Sequence, residues 1–562
     1  MGRIAHHIKK AVDEFIDSSY TEKVSIITPT VLTKPAILKC KPSHIDDEIW
    51  IQSCKWIIHS IIQLSFDKRF NNKAKDYVSL YSNILKDNCG NNYKIYVEGL
   101  VNCGIIECDG IYSISKHKSF GFKLTDKYSS SPLKHITLTE PSLIKRIRNY
   151  RKERITQLKI KAAPIANLII WLTNDNLKLD KVAALECLER YKRFLTRELA
   201  KRNLKPKYQK EQEAFVLKRY YRIKCQLENW NTNKYISIDD AGGRLYSPIT
   251  GLPSLFRNFL TYKEEELVGF DIKNSQPLHF LTMLKKEFWK SYTPGLTLKR
   301  LDQELWEYLQ EEREYSTTIM FQESSETQSK QGFTNYSFKK LVQTGKLYEF
   351  ICFKFFNKHT TKGELDRFNT RAKTKQEFMH MMYHNPEERY SKAKAVFADF
   401  MSLFPIEATV MKLMKKRKYT DFPIILQKIE AQMLLHRVAK KVYDIDPDIP
   451  LFTIHDSILT TKKYTTALKS ILDKEYQILL GFIPQFEKTV YSEDNAYKEI
   501  NKYTKSKVDQ ADLEISEVGS IFPESFRFLK CEHWDFDSKF LAENKKALTT
   551  KVPDFAKYKT MP

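Results

Sequence analysis

The chain has 562 residues, 42% hydrophobic and 13% aromatic, enough apolar material for more than one buried core and too much for an intrinsically disordered chain. Lys and Arg total 93 against 69 Asp and Glu, and the net charge of +24 predicts a polyanionic partner, nucleic acid rather than a membrane, since no amphipathic anchor stands out. The nine cysteines show no CxxC spacing, the N-terminal residues lack an apolar signal core and no 18-residue apolar run occurs, so a reduced, soluble, cytoplasmic chain is expected.

From Ile45 to Phe66 apolar residues recur at helical spacing behind an acidic first turn, which predicts a helix. A second helix is expected over 75–85 and a third over 93–102, followed by segments 104–115 and 118–125 that read as paired strands. Three helices and a hairpin predict a winged-helix-like unit over 1–130, a fold that can set its third helix in a DNA groove and that also serves as a protein-protein module. Residues 126–139 read as a linker. The stretch 141–235 opens on the basic run 145–154 and is rich in helix formers; such helices can grip a duplex through its phosphates, and a charge run is equally a solvated face. The 267–280 segment begins as an apolar strand that delivers Asp271, and the 450–459 segment again leads apolar residues into one carboxylate, Asp456. Between them 284–440 is mostly helical and long enough to form a subdomain, with a low-complexity loop at 323–330. Beyond 500 the chain is charged and aperiodic until 520–529.

A carboxylate ending a buried strand is costly unless it is paired or bound to a cation, so Asp271 and Asp456 are candidate ligands for a hard metal, Mg²⁺ first. The plainer reading of each is a turn residue or helix cap. Upstream, Arg244 follows Gly242 and Gly243 in a tight turn and offers a fork for phosphate or sugar oxygens. Over 371–383, Arg371 and Lys375 share one helix face at i, i+4, with Tyr383 near the C-terminal end. Such a helix can hold a triphosphate with its cations and set an aromatic ring near a base, although alone it also reads as a basic surface helix with a buried Met stripe.

The order Arg-loop, Asp strand, Arg-x3-Lys-x7-Tyr helix and His-Asp turn resembles the family-A DNA polymerases and the single-subunit RNA polymerases of phages and mitochondria. Segments 345–355, 397–405 and 427–437 look like the family's elements around the fingers helix and before the last catalytic strand. The resemblance covers about residues 236–465 and implies a helix-rich α+β right hand: palm at 236–283 and 441–500, fingers and connecting helices at 284–440, a thumb-like region at 141–235 and a C-terminal extension at 501–562. It implies two Mg²⁺ ions held by Asp271 and Asp456, Lys375 and Arg371 on the triphosphate, Tyr383 closing the nucleotide pocket, Arg244 near the primer terminus or template and His455 beside the primer end. Implied partners are a template, a primer and nucleoside triphosphates, and the implied reaction is nucleotide addition to a 3′-hydroxyl.

Three positions depart from the family's pattern. His384 follows the helix tyrosine where Gly is usual, and Ser457 follows the second Asp, where DNA polymerases generally show Glu and RNA polymerases Ser. Gln276 stands five residues after Asp271, where DNA polymerases carry Glu and RNA polymerases Gly. By size Gln276 can press on C2′ of an incoming sugar, which favours deoxynucleotides, yet its amide can also bond a 2′-hydroxyl. The balance favours a DNA polymerase, and since the first 235 residues show no acidic exonuclease constellation, one without proofreading. A single-subunit RNA polymerase, template-independent addition and a non-catalytic DNA-binding initiator or regulator of replication are the alternatives. Compact size and missing editing lean toward a virus or mobile element by analogy.

Overall fold

The structure is a computed structural model that describes residues 6–21, 24–66, 77–111, 119–201, 206–231, 236–311, 337–356, 371–385 and 392–505. The low-complexity segment 323–330, Cys531 and the 520–529 stretch lie outside the described residues.

Two hydrophobic cores organise the chain. The smaller is built from residues between Val24 and Ile147, with Cys225 reaching it from a later helix. Its spine is the Asp47–Phe66 helix, whose first turn is held by the Asp46 carboxylate accepting from Glu48 and Ile49 N–H groups at 2.8 and 3.1 Å. Trp50, Cys54, Ile57, Ile58 and Ile61 fall on its inward face at helical spacing and are buried. The expected helix over 75–85 is instead a strand and then a helix: residues 77–80 alternate half-buried with buried, and the helix runs Ser82–Cys89. The third helix is Tyr93–Asn102, at the predicted bounds.

Strand β1 (Ser25–Pro29) belongs to this unit, and β2 (Val78–Ser79), β3 (Ile106–Cys108) and β4 (Gly121–Leu124) form an antiparallel sheet in it in the order β2-β4-β3. Where a linker is expected at 126–139, β5 (Leu133–Thr137) pairs with β1 over five residues. Leu133 and Ile136 are half-buried and the other three residues exposed, a strand too short and too polar to stand out in the sequence.

Gly99 packs the third helix directly on the spine. A Cβ there would lie 2.4 Å from Cη2 of Trp50, and Trp50 is fully buried, donates from Nε1 to the Ile37 carbonyl at 2.8 Å and meets Tyr96 edge-on at 5.5 Å. Gly99→Ala is therefore expected to destabilise this unit by about 1–3 kcal/mol, overpacking outweighing the gain in helix propensity. The urea midpoint reads this, and an unchanged midpoint would mean that the indole gives way.

The larger core extends from Ile8 to Ile500. The first helix, His6–Thr21, belongs here and not to the smaller unit: Ile8, Val12, Phe15 and Ile16 are buried in this core, where the helix packs on the Ala166–Thr173 helix. The Pro141–Ala162 helix joins the two cores, giving Leu143 and Ile147 to the smaller and Ile155, Leu158 and Ala162 to the larger. Strands β6 (Leu177–Leu179), β9 (Leu260–Tyr262), β10 (Glu265–Ile272), β11 (Phe452–Ile454), β12 (Ser457–Thr461) and β13 (Phe486–Tyr491) form one sheet in the order β11-β12-β10-β9-β6, with β13 also pairing β10; β7 (Ser237–Ile238) and β8 (Leu245–Tyr246) form a separate hairpin. Covered on both faces, β10 buries Leu267 to Phe270 in succession, which is why it reads as an apolar run.

All nine residues of the Ser275–Met283 helix are buried, and Phe280 on it packs edge-on against Phe338 and Phe422 at 5.7 and 5.0 Å. The same aromatic cluster takes up Phe378 from the Arg371–Tyr383 helix through Tyr348 at 5.7 Å and Phe400 at 5.5 Å, so that helix is fastened to the core along its Phe378 side. Among the described residues no helix is long and apolar enough to cross a membrane, and the eight described cysteines are free thiols.

Candidate active site

Asp271 stands at the C-terminal end of β10 between two register neighbours, Ser457 on β12 and Glu487 on β13. Ser457 donates its hydroxyl to Asp271 Oδ1, and Glu487 is an exposed carboxylate directly across the ladder. Asp456 lies in the two-residue turn between β11 and β12, whose other residue, His455, has φ of 54° and meets the Tyr246 ring edge-on at 5.5 Å. A hairpin this tight puts Asp456 one residue from the partner of Asp271.

The two carboxylates share one electrostatic environment. Burial pushes Asp271 up to about 6, with the charges of Asp456 and Glu487 adding to the rise and the Ser457 hydrogen bond and Lys375 opposing it. Burial also pushes Asp456 up to about 6, with Glu430 adding and a backbone hydrogen bond, Arg244 and Lys375 opposing. Lys375, an exposed residue of the Arg371–Tyr383 helix, therefore acts on both carboxylates from across the chain. The structure brings Asp271, Asp456 and Lys375 together.

The other residues singled out by sequence surround this centre in a hydrogen-bonded arrangement. Arg244, on the β7–β8 hairpin, directs Nε and Nη2 to the same Oε1 of Glu430 at 2.8 and 2.7 Å, so part of its fork is engaged by the protein itself. Oε2 of Glu430 accepts from Gln276 Nε2 at 3.0 Å and Ser275 Oγ at 3.3 Å. Tyr383 donates its hydroxyl to Gln276 Oε1 at 3.3 Å; burial pushes this phenol up to about 12, so it keeps its proton near neutrality. Arg371 reaches Glu349 at 2.9 Å and lies 5.4 Å from the Tyr348 ring centre, which sets it one helical turn from Lys375 and in contact with protein partners.

Beneath these, His279 stands between Ser275 Oγ at 3.4 Å and the Tyr476 hydroxyl at 3.3 Å, and burial, aided by Arg244, holds it down to about 3, hence neutral. Where the helix tyrosine is followed by His384, the buried Lys415 ammonium donates to the Met381 and His384 carbonyls at 2.9 and 3.0 Å, closing the helix end. Glu430, His279 and Tyr476 are absent from the sequence-based expectation. The available signal was Glu430 itself, an acid inside the apolar Asp421–Ala431 helix that is costly to bury without a cationic partner.

Among the described residues no group of three or more His, Cys, Asp and Glu side chains is placed to hold a metal ion. The candidate donors that the sequence singled out are Asp271 and Asp456. Mg²⁺ is commonly held by one or two carboxylates together with substrate phosphates, and two neighbouring carboxylates whose proton affinity is raised by burial and by adjacent acids are the kind of charge excess a hard cation relieves. The residues present fit the ion.

No protein-family model matches the chain, and no curated protein does. Among solved structures it is similar to the POL domain of Pol1 from M. smegmatis in complex with a DNA primer-template and dNTP, at 11% identity and a TM-score of 0.39, over 63% of this chain and 74% of that one. A likeness of that size carries no weight for function. The chemistry has to come from the side chains.

Proposed function

We propose that the chain is a template-directed nucleotidyltransferase that adds deoxynucleotides to a primer 3′-hydroxyl, a DNA polymerase of the family-A type. The observation that carries this reading is the meeting of Asp271, Asp456 and Lys375, residues from two distant strands and an intervening helix. Asp271 and Asp456 are the groups that would hold Mg²⁺; bound there, such ions supply a lowered pKa at the attacking hydroxyl and neutralise charge on the leaving pyrophosphate. Lys375 orients the triphosphate from the opposite side with Arg371 one turn away, Tyr383 and Gln276 bound the nucleoside, and His455 stands at the turn beside the reacting end.

In this reading the sheet around β10 and the 441–500 segment form the palm, 284–440 the fingers and 141–235 the thumb. The helix-and-sheet order of the smaller unit supports a winged helix. Its third helix exposes one Lys and one Glu, Lys94 and Glu98, whereas the Pro141–Ala162 helix exposes Lys145, Arg148 and Lys152 along one face, so phosphate contact is assigned to the longer helix. Incubating the protein with a primed template, Mg²⁺ and either deoxy- or ribonucleotides is expected to give extension with the deoxy set. No extension with either set on DNA or RNA templates would remove the reading.

A further inference from the structure

Gln276 is chemically ambiguous as a sugar-facing residue, because an amide can block a 2′-hydroxyl by bulk or welcome it with a hydrogen bond. Its surroundings remove the ambiguity. Burial raises the proton affinity of Glu430, 1% exposed, but its ion pair with Arg244 and the hydrogen bonds from Ser275 and Gln276 oppose that rise; as the carboxylate of that pair it accepts hydrogen bonds, so the amide of Gln276 turns its NH₂ group toward it, at 3.0 Å. That sends Oε1 to the other side, where the Tyr383 hydroxyl donates at 3.3 Å. The orientation of the amide is dictated by its partners, one an obligate acceptor and the other a phenol that keeps its proton. Gln276 is itself 8% exposed and has little freedom to turn.

We infer that Glu430 is a positioning residue for sugar selection: by fixing Gln276 between its own carboxylate and Tyr383, it makes the site take 2′-deoxyribonucleoside triphosphates and refuse ribonucleotides. The inference rests on the polymerase reading and adds to it a residue that never touches substrate. A Gln276 side chain free to rotate can present either end of its amide to a 2′-hydroxyl. The held one cannot swing without leaving a buried carboxylate oxygen short of a donor, and so it behaves as a wall. Arg244 takes part indirectly, since its two bonds to Oε1 leave Oε2 to Ser275 and Gln276.

The test compares kcat/KM for a deoxynucleotide with that for the matching ribonucleotide in the unaltered protein, in Glu430→Gln, and in the double exchange Glu430→Gln with Gln276→Glu. Glu430→Gln is nearly isosteric but removes the obligate acceptor, and the ratio is expected to fall by about tenfold or more. In the double exchange donor and acceptor swap places, the carboxylate at position 276 again accepts from the neighbouring amide and from Tyr383, and the ratio should return. Melting temperatures taken alongside separate sugar choice from folding. A ratio that does not move in Glu430→Gln, or falls and is not recovered by the exchange, overturns the inference while leaving the polymerase reading in place. Preference for ribonucleotides by the unaltered protein overturns it equally. Failure to incorporate any nucleotide removes both.

Discussion

Asp271→Asn is expected to abolish nucleotide addition and at the same time to make the fold more stable at neutral pH. An active-site acid that is buried beside a second acid is held there at a cost: burial and the charges of Asp456 and Glu487 put Asp271 at about 6, above its ordinary 3.8. A carboxyl whose folded pKa exceeds its unfolded one binds its proton more tightly in the folded state. Its contribution to stability is greatest below about pH 4, falls as pH rises to about 6 and stays low beyond. A shift of that size corresponds to roughly 3 kcal/mol, and partial access to water reduces the expected gain to about 1–2 kcal/mol. Asn preserves the shape and can still accept from Ser457, so little else changes.

Three measurements check this together. Single-turnover incorporation should drop by about 10³-fold or more, the scale expected when a metal ligand at the reacting centre is lost. The urea midpoint of Asp271→Asn should exceed that of the unaltered protein at pH 7 and converge with it only below about pH 4, the unfolded carboxyl's own range. Added Mg²⁺ should raise the melting temperature of the unaltered protein at pH 7 and do so much less in the variant, because an ion that binds only the folded state stabilises by mass action. A variant that is less stable at pH 7, or one that keeps its full response to Mg²⁺, would show that Asp271 does not belong to a cation site.

What the sequence made legible follows from where each residue sits. Strand β10 and the β11–β12 hairpin stand out because strands buried on both sides are continuous apolar runs, and a single Asp at the end of each is conspicuous against them. The Arg371–Tyr383 helix is legible through the spacing of its Arg, Lys and Tyr, not through amphipathicity, since Phe378, Met381 and Met382 bury one side while Tyr383 at its end turns toward Gln276. Glu430 escaped because its meaning lies in Arg244, 186 residues away, and no local pattern records so distant a pairing. Glu487 escaped for a related reason: β13 is mostly exposed and its neighbour Asp271 is set by strand register alone. The His6–Thr21 helix lies inside the span 1–130 expected as one unit yet packs in the larger core, because an apolar face specifies that a helix packs and not against what.

Lys375→Ala supplies the second large effect, and its value lies in having the opposite sign on stability. Its side chain is exposed, so ordinary expectation is a neutral substitution, but here the ammonium offsets the mutual repulsion of Asp271 and Asp456. Without it the fold should lose a few tenths of a kcal/mol at pH 7, the scale of partly solvated charge pairs. Catalysis should suffer far more: kcat/KM for the nucleotide is expected to fall by about 10²-fold, mostly through KM, with Lys375→Arg recovering part of it because charge is kept while reach and geometry differ. The two roles are tied by one cycle. In the Asp271→Asn background a large part of the repulsion that Lys375 offsets is already gone, so adding Lys375→Ala should cost less stability there than in the unaltered protein. Groups that share a site depart from additivity, whereas side chains facing separate regions would give effects that simply sum. Strict additivity, together with an unchanged KM, would place Lys375 outside the cleft and leave the two aspartates without the cation that sets the triphosphate between them.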